Sequence, residues 1–120
     1  MTQKEIKLAG KNVRMAYCYA TEIGFKDLAG QDIGEFVAEV CNTGLVEPDP
    51  KKLVYLILSA IMAYYQSRDE EPPVKDRTLL YECEPKEIVA AFTEVLKLRA
   101  EWYRVPEGEP KAEEEDPKNA

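Results

Sequence analysis

From Pro50 to about Arg68 the chain is apolar nearly all the way round a helix. Leu53, Val54, Leu56, Ile57, Leu58, Ile61, Met62 and Tyr65 leave no polar face through its middle. Asp49 stands ready as N-cap and Pro50 suits the first helical position. A helix of this kind must be covered on several sides. In a chain of 120 residues two arrangements meet that demand. Either it is the central helix of the fold, or one face is covered by another subunit or a partner. Its apolar part, Leu53 to Tyr65 with only Ser59 intervening, spans about 20 Å as a helix, short of the roughly 30 Å hydrocarbon core. No membrane span is expected.

The remaining elements arrange themselves around that helix. Residues 1–15 alternate, with Ile6 and Leu8 facing one way between Glu5 and Lys7. Ala9-Gly10-Lys11-Asn12 supplies turn residues, and Val13-Arg14-Met15 resumes the alternation. This pattern predicts a β-hairpin. A two-stranded ribbon is not stable alone, so it lies on helices or pairs with another chain. From Ala16 the period turns helical. Ala16, Tyr19, Ala20, Ile23 and Leu28 fit one stripe, with Tyr17 and Phe25 to the side and Gly30 as a stop. Ile33, Phe36, Val37 and Val40 mark a second helix, with Asp32 as cap and Asn42-Thr43-Gly44 at its end. Glu47-Pro48-Asp49-Pro50 forces an extended connection, and Asp69-Glu70-Glu71-Pro72-Pro73 breaks the apolar helix. A short helix is expected over 76–81. A long one begins at Glu84-Pro85, with Ile88, Val89, Phe92, Val95, Leu96, Arg99, Trp102 and Tyr103 on one face.

The fold class is therefore α+β, mostly α: an N-terminal β-hairpin followed by four or five helices. Residues 1–104 form one domain. From Val105 onward six acidic residues face only Lys111 and Lys118, three of the eight prolines occur, and no large apolar side chain follows. Nothing there offsets the entropy of ordering, so 105–120 is expected to be a disordered acidic tail.

Charge and composition narrow the function. The chain holds 23 acidic and 16 basic residues, a net charge of -7. Such a field repels phosphate backbones and anionic lipid, so neither nucleic acid nor membrane is an expected partner. Histidine is absent, which removes His-based triads and His-containing metal sites. Cys18, Cys41 and Cys83 are scattered and read as reduced thiols in the cytoplasm. The glycines form no phosphate-binding loop. Glu35 and Glu39, at i and i+4, flank an apolar stripe and face solvent, and acid–base or metal chemistry there would need burial or a second ligand pair. No cofactor, metal or enzymatic role is expected.

The aromatic residues are more informative. Tyr64-Tyr65 and Trp102-Tyr103 place adjacent rings on different helix faces, so one member of each pair sits at the core margin or meets a partner. Tyrosine and tryptophan combine large apolar area with a polar tip and suit such positions. Ile57, Ile61, Tyr64, Tyr65, Trp102 and Tyr103 are the candidate partner-binding residues.

The ordered segments also carry a family resemblance. Ile6-Lys7-Leu8-Ala9-Gly10-Lys11 enters Tyr17-Cys18-Tyr19-Ala20-Thr21-Glu22-Ile23-Gly24-Phe25, and Gly30-Gln31-Asp32-Ile33 follows. This run resembles the tail assembly chaperones of long-tailed bacteriophages, more narrowly those of prophages in Bacteroidales-type bacteria. Asp49-Pro50-Lys51-Lys52-Leu53 leading to Ala63-Tyr64-Tyr65, and Glu101-Trp102-Tyr103-Arg104-Val105-Pro106, are similar too. The resemblance spans roughly residues 4 to 106 and rests on small and aromatic residues. It implies a non-enzymatic helical protein of the bacterial host cytoplasm that binds the tape measure protein during tail morphogenesis and leaves before the tail is complete. It further implies a homo-oligomer, and for many members a frameshift-extended form. It carries no residue-level site. Two other classes fit the same residues: a structural virion protein such as a head-tail connector or tail terminator, and a small helical adaptor or antitoxin-like protein.

Overall fold

The computed structural model describes residues 1–43 and 49–104. The connection through Glu47-Pro48, the end of the second helix at Gly44 and the tail over 105–120 lie outside the described residues. An antiparallel hairpin, β1 (Thr2–Leu8) and β2 (Lys11–Tyr17), is followed by α1 (Tyr19–Ala29), α2 (Ile33–Thr43), α3 (Pro50–Gln66), α4 (Asp76–Tyr81) and α5 (Pro85–Tyr103). The fold is α+β and mostly helical.

The hairpin closes on Leu8 opposite Lys11, so only Ala9 and Gly10 form the turn. Both adopt positive φ, 50° and 79°, the geometry of a two-residue turn whose twist matches the strands. Alternation then divides the ribbon into two faces. Leu8, Val13, Met15 and Tyr17 are buried, whereas Gln3, Glu5, Lys7 and Asn12 are exposed.

The buried face lies on α3 and α5, and α3 occupies the centre. Asp49 accepts a hydrogen bond from the Lys51 amide (3.0 Å), and Pro50 opens the first turn. Leu53, Val54, Leu56, Ile57, Ala60, Ile61 and Ala63 are buried around it. Between the two arrangements open to an all-round apolar helix, most of its circumference is covered by its own chain. Leu58 and Met62 stay half-buried on the remaining side.

α1 packs on α3 through small residues. A Cβ added to Gly24 would lie 3.5 Å from Ser59 Oγ, so the two helices come close there. Ser59 returns its hydroxyl to the Tyr55 carbonyl (2.8 Å), which satisfies it inside the contact. α1 stops at Gly30, left-handed at φ 71°, whose amide donates to the Lys26 carbonyl (2.8 Å). The three phenylalanines knit the helices together. Phe25 of α1 meets Phe36 of α2 at 5.5 Å, and Phe36 meets Phe92 of α5 at 6.0 Å.

Two faces differ from the sequence expectation. On α1 the buried side chains are Thr21 and Phe25, while Tyr19, Ile23 and Leu28 are 66, 62 and 46% exposed. The sequence pattern predicts a helical stripe from Ala16. The strand instead runs through Tyr17, which points inward with Val13 and Met15, and the helix begins two residues later with its face rotated. On α5, Ala91 and Leu98 join Phe92 and Val95 in the core, and Val89 turns outward.

Ile57 and Ile61 sit at the centre of this packing with no accessible surface. I57A should therefore lower unfolding free energy by about 2–5 kcal/mol, read as a reduced urea midpoint. A loss below about 1 kcal/mol would place Ile57 outside the core.

Candidate functional site

The six residues singled out from the sequence do not form one site. Ile57 and Ile61 are withdrawn as partner contacts, because both are sealed beneath the hairpin and neighbouring helices. Tyr64 and Tyr65 lie at the end of α3, their rings edge to face at 4.8 Å. The Tyr65 hydroxyl accepts the Arg14 amide of β2 (3.1 Å). The guanidinium groups of Arg14 and Arg68 lie 5.9 and 5.4 Å from the Tyr64 ring centre. This pair pins the hairpin to α3, while both rings keep partial exposure.

Trp102 and Tyr103 end α5 beside the start of α1. Trp102 meets Tyr19 edge to face at 5.7 Å, and Tyr103 meets Tyr17 at 6.4 Å. Two phenols converge on one carboxylate. Tyr17 donates to Glu22 Oε2 at 2.8 Å, and Tyr103 donates to the same oxygen. Arg99 lies 5.5 Å from the Tyr103 ring centre, its Nε buried without a hydrogen-bond partner. Burial first, then the Glu22 carboxylate, drives the Tyr17 phenol far above its ordinary value. For Tyr103 the hydrogen bond to Glu22 leads and raises it as well. The arrangement is a clasp between α1, β2 and α5. A phenol held protonated at neutral pH has no role as a base there.

A different surface is concave. An open groove of about 640 Å³ runs between α1 and α3. Ala20, Gly24 and Leu28 form one wall, Leu58, Ser59, Met62 and Ala63 the other, and Pro72 with Val74 closes one end. Asp27, Glu70, Glu71 and Asp76 stand on its rim with Lys75, and Glu70 also pairs with Arg68 at 3.7 Å. It exists because α1 turns its small-residue side to α3 at Gly24, leaving Leu28 and the Leu58–Met62 pair without a full cover. The sequence reading missed this site. Its signal was the i, i+4 pair Leu58 and Met62, two apolar positions more than the core uses.

Among the described residues no group of three or more Cys, Asp or Glu side chains converges as a metal ion requires, and no helix is long and apolar enough to cross a membrane. No family model matches the chain, and no curated protein or solved structure matches it either.

The buried phenol has a consequence at alkaline pH. Above about pH 10 an unfolded tyrosine releases its proton, whereas folded Tyr17 keeps it. The unfolded state then binds fewer protons, so stability falls as pH rises, by up to about 1.4 kcal/mol per pH unit. Urea midpoints measured between pH 9 and pH 11 (roughly the window set by a free phenol) should fall more steeply for the wild type than for Y17F. Parallel profiles would contradict the burial of this hydroxyl.

The thiols should separate too. Burial and the Glu87 charge push the half-buried Cys83 thiol up to about 11, while Cys41 is exposed. At about pH 8 a thiol reagent should label Cys41 first and Cys83 on the order of a hundredfold more slowly than a free thiol. Equal labelling rates would be inconsistent with this placement.

Proposed function

We propose that the chain is a phage or prophage tail assembly chaperone that holds an amphipathic helix of the tape measure protein in the α1–α3 groove. The observation that carries this reading is the groove itself, apolar along both walls and acidic on its rim. An apolar trough between two helices accepts side chains repeating at i, i+3, i+4 and i+7. With Glu70 paired to Arg68, the rim keeps Asp27, Glu71 and Asp76 beside Lys75, an acidic excess that favours a partner helix whose flanks are basic and disfavours acidic ones. The exposed Ile23 and Tyr19 continue the apolar surface along α1.

A chaperone of this kind shields hydrocarbon on an unassembled partner and then releases it. That task needs apolar surface and solubility together, and the net charge of -7 supplies the second. The resemblance over residues 4 to 106 gives the partner its identity in this proposal. The apolar walls of the groove suit such a helix.

Co-expression with the tape measure protein should bring that protein into the soluble fraction. L58E and M62E each place a carboxylate among the groove walls, and each should weaken the complex about tenfold or more, while E35Q on the exposed side of α2 leaves it intact. A tape measure protein that stays insoluble beside the wild-type chain would refute the proposal. Finding the chain as a stoichiometric component of purified particles would instead make it a structural virion protein.

A further inference from the structure

The two edges of the hairpin are not equivalent. On β2 part of the outward backbone is occupied: the Arg14 amide donates to the Tyr65 hydroxyl (3.1 Å), and the Thr21 hydroxyl donates to the Ala16 carbonyl (2.8 Å). Since Arg14 points its amide away from β1, the Arg14–Glu5 pair is a non-hydrogen-bonded one. In the observed register Ala16 and Asn12 share that parity, opposite Gln3 and Lys7. In an antiparallel ladder the peptide groups of such pairs point outward on both strands. Gln3, Glu5 and Lys7 therefore direct their amides and carbonyls to the free edge of β1. All three are exposed, and among the described residues no protein group is bonded to those outward amides and carbonyls.

We propose that this edge pairs with the same edge of a second copy, antiparallel and centred on Ile6. The charges select the register. Only residues of like parity can exchange backbone hydrogen bonds across the new ladder, which limits the two-fold axis to single residues. Centring on Glu5 sets Glu5 against Glu5, and centring on Lys4 or Lys7 sets lysine against lysine. Centring on Ile6 sets Glu5 of each copy against Lys7 of the other and brings the two Ile6 side chains together. Directly opposed charges of opposite sign stabilise a sheet and like charges destabilise it.

The neighbouring surface fits this occupant. Glu5 already faces Arg14 across the hairpin, Nε to Oε1 at 3.8 Å, so each row across the four strands alternates cation, anion, cation. On the opposite face a shallow groove of about 470 Å³ lies between β1 and α5, where Ile6, Ala90 and Ala91 are flanked by charged side chains including Lys4, Lys86 and Glu94. Ile6 of the second copy drops into it. Charged edge strands usually repel association; here their order makes the edge complementary to itself. This inference is independent of what the α1–α3 groove binds.

Sedimentation velocity on the full chain tests it. The wild type should sediment as a dimer. E5K and K7E should each raise the dissociation constant about tenfold or more, and the double variant E5K/K7E should restore it, because each opposed pair regains opposite signs. With Cys41 replaced by Ser, I6C should oxidise to a covalent dimer, since facing residues of a non-hydrogen-bonded pair lie about 4.5 Å apart at Cα, and K4C should not. A wild type that is monomeric at every concentration reached overturns the proposal. So does a double variant no better than the singles, or K4C cross-linking as readily as I6C.

Discussion

Hydrocarbon on every side of α3 is the constraint from which the architecture follows. One neighbouring element covers about one stripe of a helix, so a helix without a polar face needs several neighbours at once. The inward face of the hairpin covers one side, with Val13, Met15 and Tyr17. α1 covers a second side, approaching closely where Gly24 meets Ser59. α5 covers a third with Ala91, Val95 and Leu98. The hairpin in turn gains a floor that an isolated ribbon lacks. Each element is stabilised mainly by this shared core.

Much of this was legible because local chemistry marked it. The turn at Ala9-Gly10, the cap and proline at Asp49-Pro50 and the stop at Gly30 each act within a few residues, so a linear reading finds them. The face of α1 was not legible. Tyr19, Ile23 and Leu28 make a more hydrophobic stripe than Thr21 and Phe25, and periodicity alone selects the greasier side. The phase was set elsewhere, by Tyr17 remaining in the strand and by Gly24 fitting Ser59, both tertiary facts. The same limit hid the groove, which is made of two helices whose crossing no single segment encodes.

The aromatic pairs illustrate a second lesson. Adjacent rings at the ends of α3 and α5 stand at the margin of the core, yet they are engaged internally. Tyr65 ties down β2, and Tyr103 shares the Glu22 carboxylate with Tyr17. The polar tips of Tyr65 and Tyr103 are used as fasteners between elements, and the apolar surface left uncovered belongs largely to less conspicuous aliphatic residues. Ile57 and Ile61 were misplaced for a related reason: a helix apolar all round offers no internal clue to which side faces out.

The clasp also joins regions far apart in the chain. Thr2 donates to the carbonyl of Leu98, and Tyr103 donates to Glu22, separations of 96 and 81 residues. On the ribosome, α3 is therefore complete well before the last turns of α5 exist. At roughly 5–20 residues per second the gap lasts a few seconds. Through that interval the greasiest segment of the nascent polypeptide has only the hairpin and α1 for shelter. The chain thus spends part of its own synthesis with its interior incompletely roofed.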